Sequence, residues 1–143
     1  MARKNLTWNG AAVSEKMKAA AKLGINATMA ACVSQAKSNH TWQNQTGILE
    51  GSIKITAFAR EQGAGVVGQW GSSDANYALI HELGGVIRPV RAKALAFRLP
   101  DGSFRMAQQV TIPARPFLRP AADALYPLLA DKIRKAFDGG AAA

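Results

Sequence analysis

The sequence predicts an α+β fold in which a long N-terminal helix packs on an antiparallel sheet, joined by a short middle helix, a basic β-hairpin and a C-terminal helix. Three observations carry that expectation. Apolar residues recur at helical intervals between Ala11 and Ser38, apolar and polar residues alternate from Ile53 to Arg60, and Pro100-Asp101-Gly102 separates two further alternating runs. A chain of 143 residues buries roughly two thirds of its unfolded surface, so one domain over 1–143 is expected, with flexible ends at about 1–8 and 138–143.

In the first element Val13, Met17, Ile25, Met29, Cys32 and Val33 supply the larger apolar surface among many alanines. At 1.5 Å per residue the helix extends about 40 Å, longer than the core of so small a domain requires. The alanines permit close approach, either of this domain's own sheet or of a neighbouring subunit. Gly24 interrupts the run at a cost of about 1 kcal/mol relative to alanine, and a bend is expected there.

Ser38 to Gly47 is polar and reads as a loop. A strand is expected from Ile48 to Arg60, with Ile53, Ile55, Ala57 and Ala59 on its covered face. Gly63 to Gly65 turns the chain, and Val66, Val67 and Trp70 belong to its antiparallel partner. Ser72, Ser73 or Asp74 can cap a short helix over Ala75 to Leu83, anchored by Tyr77, Leu79, Ile80 and Leu83. Gly84 or Gly85 can supply the positive φ that ends it.

Ala94 to Ala107 forms the hairpin. With the turn centred on Asp101 and Gly102, Leu99 faces Phe104, Arg98 faces Arg105 and Phe97 faces Met106. Phe97, Leu99, Phe104 and Met106 then share one apolar face, and the two arginines stand opposed on the other. Like charges directly opposed across a ladder are destabilising, so the register points to an anionic partner, unless both side chains splay into water. In the last element, Leu125, Leu128, Leu129, Ile133 and Phe137 make an apolar stripe, Pro120 suits a first turn, and Pro127 imposes a kink or a fresh start.

Charge is unevenly distributed. Eighteen Lys and Arg against nine Asp and Glu give +9, and the pI is about 10.2. Residues 88–119 hold Arg88, Arg91, Lys93, Arg98, Arg105, Arg115 and Arg119 against Asp101 alone, a net +6. Such a cluster favours a polyanion or an acidic protein surface, although a high net charge also keeps a protein soluble. Phe97, Phe104 and Phe117 interleave with it, a pattern that base stacking in single-strand binding uses, but strand alternation turns the first two inward.

Catalytic readings find little support. His81-Glu82 resembles the start of a zinc-protease helix, yet the position four residues after His81 is Gly85, and His40 is the only other histidine. His81 is instead expected as a helix-end side chain near the negative end of the dipole. Cys32, the single cysteine, lies in an amphipathic helix where a buried inert thiol is the rule, and it excludes an intrachain disulfide. Gly63-Ala64-Gly65 precedes a strand rather than a helix and makes no phosphate cradle. No enzyme activity, cofactor or metal is expected. The N-terminus lacks the apolar core of a secretion signal, no apolar run is long enough to span a bilayer, and a reducing compartment without membrane contact is expected.

Three motifs occur in order: Thr46-Gly47-Ile48-Leu49 with Ser52-Ile53, Tyr77-Ala78 with Glu82 and Gly84, and Pro113-Ala-Arg-Pro-Phe-Leu-Arg-Pro-Ala121. Together they resemble the tail-completion, or head-to-tail joining, proteins of long-tailed bacteriophages, over nearly the whole chain. The resemblance implies an α+β protomer that is a structural part of the virion neck and has no catalytic residues. It implies a homo-oligomeric ring, commonly a hexamer, assembled in the host cytoplasm and placed at the head-tail junction. Its partners would be a portal-side connector or stopper protein, a tail terminator or tail tube protein, and the genomic DNA, touched transiently and without sequence preference. A tail terminator is a neighbouring reading. A small basic nucleic-acid-binding module is a reading of another class, against which stands the absence of zinc-finger, basic-zipper or aromatic RNA-binding signatures.

Two sets of residues are therefore candidates. Arg88, Arg91, Lys93, Arg98 and Arg105 form an electrostatic face for the DNA channel or an acidic partner. Phe117, Leu118, Arg119, Tyr77 and Glu82 lie at a core or subunit interface, with Glu82 expected to pair with an arginine of this chain or of its neighbour.

Overall fold

A computed structural model describes residues 6–41, 47–99 and 101–139. The end segments expected to be flexible therefore fall partly outside the described residues, at 1–5 and 140–143, as do 42–46 of the expected loop and Pro100 of the hairpin. The order of elements is α1 (Gly10–Ser38), α2 (Ile48–Ser52), β1 (Ile53–Gln62), β2 (Gly65–Ser72), α3 (Ala75–Leu83), β3 (Gly85–Ile87), β4 (Leu95–Arg98), β5 (Phe104–Ala107), β6 (Val110–Ile112), α4 (Leu118–Leu125) and α5 (Leu129–Asp138). A single 3-10 turn, Tyr126–Leu128, joins the last two helices. This is the expected mixed architecture, with the long first helix, antiparallel pairing and C-terminal helix all present.

Helix α1 runs unbroken through Gly24. Its buried positions Ala20, Gly24, Thr28, Cys32 and Ala36 recur every fourth residue, with Met29 beside them, and this row of mostly small side chains lets other backbones come close. Helices α4 and α5 and strands β1 and β2 all pack on α1. At Gly24 the reason for glycine is steric: an added Cβ would stand 2.5 Å from Ile133 Cγ1 and 3.0 Å from the Ile133 backbone nitrogen. The expected bend is replaced by a notch in which α5 sits. The Thr28 hydroxyl donates to the Gly24 carbonyl at 2.8 Å and so is satisfied although buried.

The first strand is shorter than its sequence suggests. Ile48–Ser52 forms one helical turn, entered through Gly47 at φ +72°, and the strand begins only at Ile53, where the alternation of apolar and polar residues begins. Ser52 fastens this corner: its hydroxyl donates to the Leu49 carbonyl at 2.6 Å and lies 2.6 Å from Ser72 Oγ. Strands β1 and β2 pair antiparallel as expected, with Gly63 (φ +59°) leading the two-residue turn between them. From Ala57 to Arg60 the first strand advances three residues while its partner advances from Gln69 to Val67, a bulge that bends the pair around α1. The Ala59 amide is there satisfied by Asn26 Oδ1 of α1, at 2.8 Å.

The C-terminal region follows the prolines. Pro120 lies in the first turn of α4, and the chain tightens into the 3-10 turn at Pro127 before α5 starts afresh. One core closes the body: Ala36, Leu49, Ile53, Ala78, Phe117 and Ala121 are buried together, with Val33, Trp70 and Leu118 packed around them. Every one of the three sequence motifs thus contributes to a single cluster, through Leu49 and Ile53, through Ala78, and through Phe117 and Ala121.

Candidate functional site

Between Gly85 and Ile112 the chain leaves this body as an arm. Its base is the antiparallel pair β3–β6, with Gly85 opposite Ile112 and Ile87 opposite Val110. Its tip is the pair β4–β5, with Leu95 opposite Ala107 and Arg98 opposite Phe104. Between base and tip, residues 88–94 on the outgoing side face only 108–109 on the return. That longer side holds Arg88, Arg91 and Lys93, all exposed.

The tip departs from the expected register by one residue. The Leu99 amide donates to the Ser103 carbonyl at 2.8 Å and the Gly102 amide to the Leu99 carbonyl at 2.9 Å, so three residues, not two, make the connection. Gly102, at φ +87°, occupies the left-handed position that three-residue hairpin loops require. Asp101 holds the turn by accepting from the Ser103 amide at 2.9 Å and the Ser103 hydroxyl at 2.6 Å, and these bonds keep its carboxyl below the ordinary carboxylate range.

A one-residue slip exchanges every partner. Arg98 now faces Phe104 and Arg105 faces Phe97, so the two arginines point to opposite sides of the ladder and do not confront each other. The four apolar residues expected to share one face divide as well. Leu95, Phe97, Leu99 and Ala107 are half-buried, whereas Ala96, Arg98, Phe104 and Met106 are exposed. Arg98 lies over the Phe104 ring, with Cζ 5.6 Å from its centroid, and its Nε donates to the Gly102 carbonyl at 3.2 Å. Among the described residues none of Arg88, Arg91, Lys93, Arg98 and Arg105 forms an ion pair.

The arm is fixed to the body at the end of α3. Asp74 caps this helix, its carboxylate accepting from the Tyr77 amide at 3.4 Å, and Gly84 ends it at φ +70°. A Cβ on Gly84 would lie 2.6 Å from the Ala114 nitrogen and 2.7 Å from the Ile112 carbonyl oxygen, so glycine is needed there for both backbone angle and space. The His81 carbonyl accepts from the Arg115 amide at 2.8 Å, tying the returning chain back to α3.

Glu82 carries the remainder of the joint. Its Oε2 accepts from the amides of Phe117 at 2.8 Å and Leu118 at 3.0 Å, and its Oε1 accepts from the amide of Arg119 at 2.9 Å. The expected arginine partner is replaced by three backbone donors. These are the first N–H groups of α4, which have no partner inside their own helix, and a carboxylate there also meets the positive end of the helix dipole. A residue from α3 thereby does the work of an N-cap for α4.

Other expectations for α3 are corrected too. Tyr77, Leu79 and Leu83 do not anchor the helix; all three are exposed, Ile80 is half-buried and only Ala78 is buried, alongside the Glu82 contact. His81 is half-buried, packs against Tyr77 with ring centroids 5.3 Å apart, and has its pKa lowered, first by burial and then by the positive charge of Arg115. Those effects favour the neutral imidazole, contrary to the cation a helix C-terminus would attract. Phe117 is fully buried in the core, Leu118 is half-buried beside it, and Arg119 is exposed, with Nε 3.8 Å from Asp123.

Sequence reasoning missed the exposed apolar strip on α3 and the role of Glu82 as a cap. Spacing places Ala78 and Glu82 on one helical face and Leu79 and Leu83 on the adjacent one, but it does not say which face will be covered or which distant amides will reach Glu82. Burial raises the Cys32 thiol pKa, with Lys132 opposing, in keeping with the inert thiol expected. Among the described residues no group of three or more His, Cys, Asp or Glu could hold a metal ion, and no helix is long and apolar enough to cross a membrane. Comparison with protein-family models, curated proteins and solved structures gives no match to this chain.

Proposed function

We propose that this chain is a structural, non-catalytic subunit of a tailed-phage neck, which completes the tail as a homo-oligomeric ring around the DNA channel and contacts a connector or stopper on one side and tail proteins on the other. The observation that carries the reading is the basic arm. Five cations, unpaired by acids among the described residues, are displayed on a β-arm fixed to a helical body at Gly84 and Glu82. Clustered arginine and lysine on a firmly held scaffold tolerate phosphates of any sequence, which suits a channel that DNA must traverse. The body contributes a helix about 40 Å long and an exposed apolar strip, parts suited to the unlike surfaces that meet in a cyclic ring.

Image averaging of necks from virions carrying the chain tests this reading directly. Ring density at the head-tail junction is expected, and a neck without the chain overturns the assignment. A binding measurement discriminates the nucleic-acid module. Weak duplex binding with a log–log salt slope of about −0.9 per phosphate contacted is expected, whereas nanomolar, sequence-selective binding by a monomer would favour the module.

A further inference from the structure

Two surfaces of this chain are apolar and uncovered. On the arm tip Phe104 and Met106 are 74% and 71% exposed, on the face they share with Ala96 and Arg98. A two-stranded ladder with its opposite face half-buried would ordinarily turn polar residues outward. Arg98 does not break this face, because its guanidinium is drawn over the Phe104 ring and held by the Gly102 carbonyl. On α3, Leu79 and Leu83, one turn apart on the same face, are 57% and 67% exposed. Leu79 also forms a wall of a cleft of about 210 Å³ whose other walls are Ser72, Ala78, Glu82 and Leu118.

Since both surfaces are exposed in the same chain, neither covers the other within it. Their charges are opposite. Residues 85–112 hold five cations and one acid, Asp101, for a net +4, whereas the segments that carry the cleft walls, 72–84 and 115–123, hold Asp74, Glu82 and Asp123 against Arg115 and Arg119, for a net −1. Apolar faces that would each be desolvated by contact, on segments of opposite charge, are the ordinary ingredients of a specific interface.

We propose that the outer face of the arm tip of one copy docks on α3 of a second copy of this chain, with Phe104 seated in the cleft between Leu79 and Leu118. The contact is heterologous, arm to helix, and leaves each copy with one free arm and one free cleft until the ring closes. It rests on the ring reading for the choice of a second copy as occupant, and it adds to that reading the two surfaces that meet. Because the arm supplies both the cations and the docking face, Arg88, Arg91 and Lys93 are held at the border of the joint.

Two variants of the full-length chain test the docking. Phe104→Ser with Met106→Ser changes no charge and alters only exposed side chains, so circular dichroism should match wild type. Light scattering should show the wild type associating and the double variant weakened by about tenfold or more. Separately, Phe104→Cys protein mixed with Leu79→Cys protein should form a disulfide-linked dimer on mild oxidation, while Phe104→Cys mixed with Thr56→Cys should not. If the wild type associates and the serine variant associates equally well, with no trapped dimer, the docking surface is wrong and the ring reading stands. A wild type that stays monomeric and untrapped at its highest soluble concentration also overturns the docking, leaving the ring to be decided by neck imaging. Shielding of Phe104→Cys from alkylation by duplex DNA alone, and not by added chain, overturns it in favour of a channel-facing tip.

Discussion

Around Phe117 the chain is closed, and beyond Gly84 it is open. The closed region gathers side chains from five elements, and its polar requirements are met within the molecule: Glu82 receives three amides, and Ser52 joins Leu49 and Ser72. In the open region the turn is held by Asp101 and the strands by their own ladders, while the cations and half of the apolar side chains face outward. A closed core specifies one structure for one chain, whereas the open arm leaves charge and apolar surface that the described residues do not cover.

Substitutions can break that contrast, starting with the core. Phe117→Ala removes a fully buried ring and should cost about 3–5 kcal/mol by chemical denaturation. Soluble protein of unchanged stability that fails only to assemble would move Phe117 from core to interface. Gly84→Ala should rank next, at about 2–4 kcal/mol, because a Cβ strains a left-handed backbone and collides with backbone atoms of Ile112 and Ala114. The same replacement at Gly51, where a Cβ meets nothing within 4 Å, is the control, and the two should differ clearly in denaturation midpoint.

Glu82→Ala strips three amides of their acceptor and should cost about 1–3 kcal/mol. Glu82→Gln keeps an acceptor oxygen and should cost less. Hydrogen exchange of the α4 amides should report the loss first, and equal protection in the alanine variant would contradict the cap. His81 offers a smaller effect with a defined sign. Its folded pKa lies below the ordinary 6.5, so the unfolded chain binds more protons near and below that value; stability from this group is complete above about pH 6.5 and is lost as pH falls through the lower folded pKa. His81→Gln should flatten the dependence of stability on pH over that window.

Least of all should the arm's charges affect folding. Replacing Arg98 and Arg105 together by glutamate should leave stability within about 0.5 kcal/mol of wild type, since both are exposed. Assembly or DNA passage should nonetheless suffer, and full infectivity of particles carrying the double change would sink the claim that these residues serve an electrostatic surface.

Helical spacing over α1, alternation after Ile53, the Pro127 break and the Pro-Asp-Gly turn were all legible because each depends on neighbours within a few residues. The hairpin's register was not, since one residue in the length of the turn exchanges both faces, and Gly102 satisfies either length. The helical turn at Ile48–Ser52 escaped the periodicity because five residues are too few to display it. Among the candidate residues, the five cations share the segment from Gly85 to Ile112, but Arg98 and Arg105 stand on opposite sides of its ladder, because their opposition was inferred from the wrong register.

By itself the sequence determined the class of the fold, the order of its main elements and the concentration of positive charge between Arg88 and Arg119, all properties of local pattern and composition. Tertiary structure alone decided that Gly24 is a notch for α5 rather than a bend, that Glu82 caps a helix 35 residues further along the chain, and which apolar residues of α3 and the arm remain exposed. Those outcomes depend on which distant backbone atoms arrive beside a given side chain. A helix end needs an acceptor and a close crossing needs the absence of a Cβ, but neither need states in the sequence which residue far away will meet it.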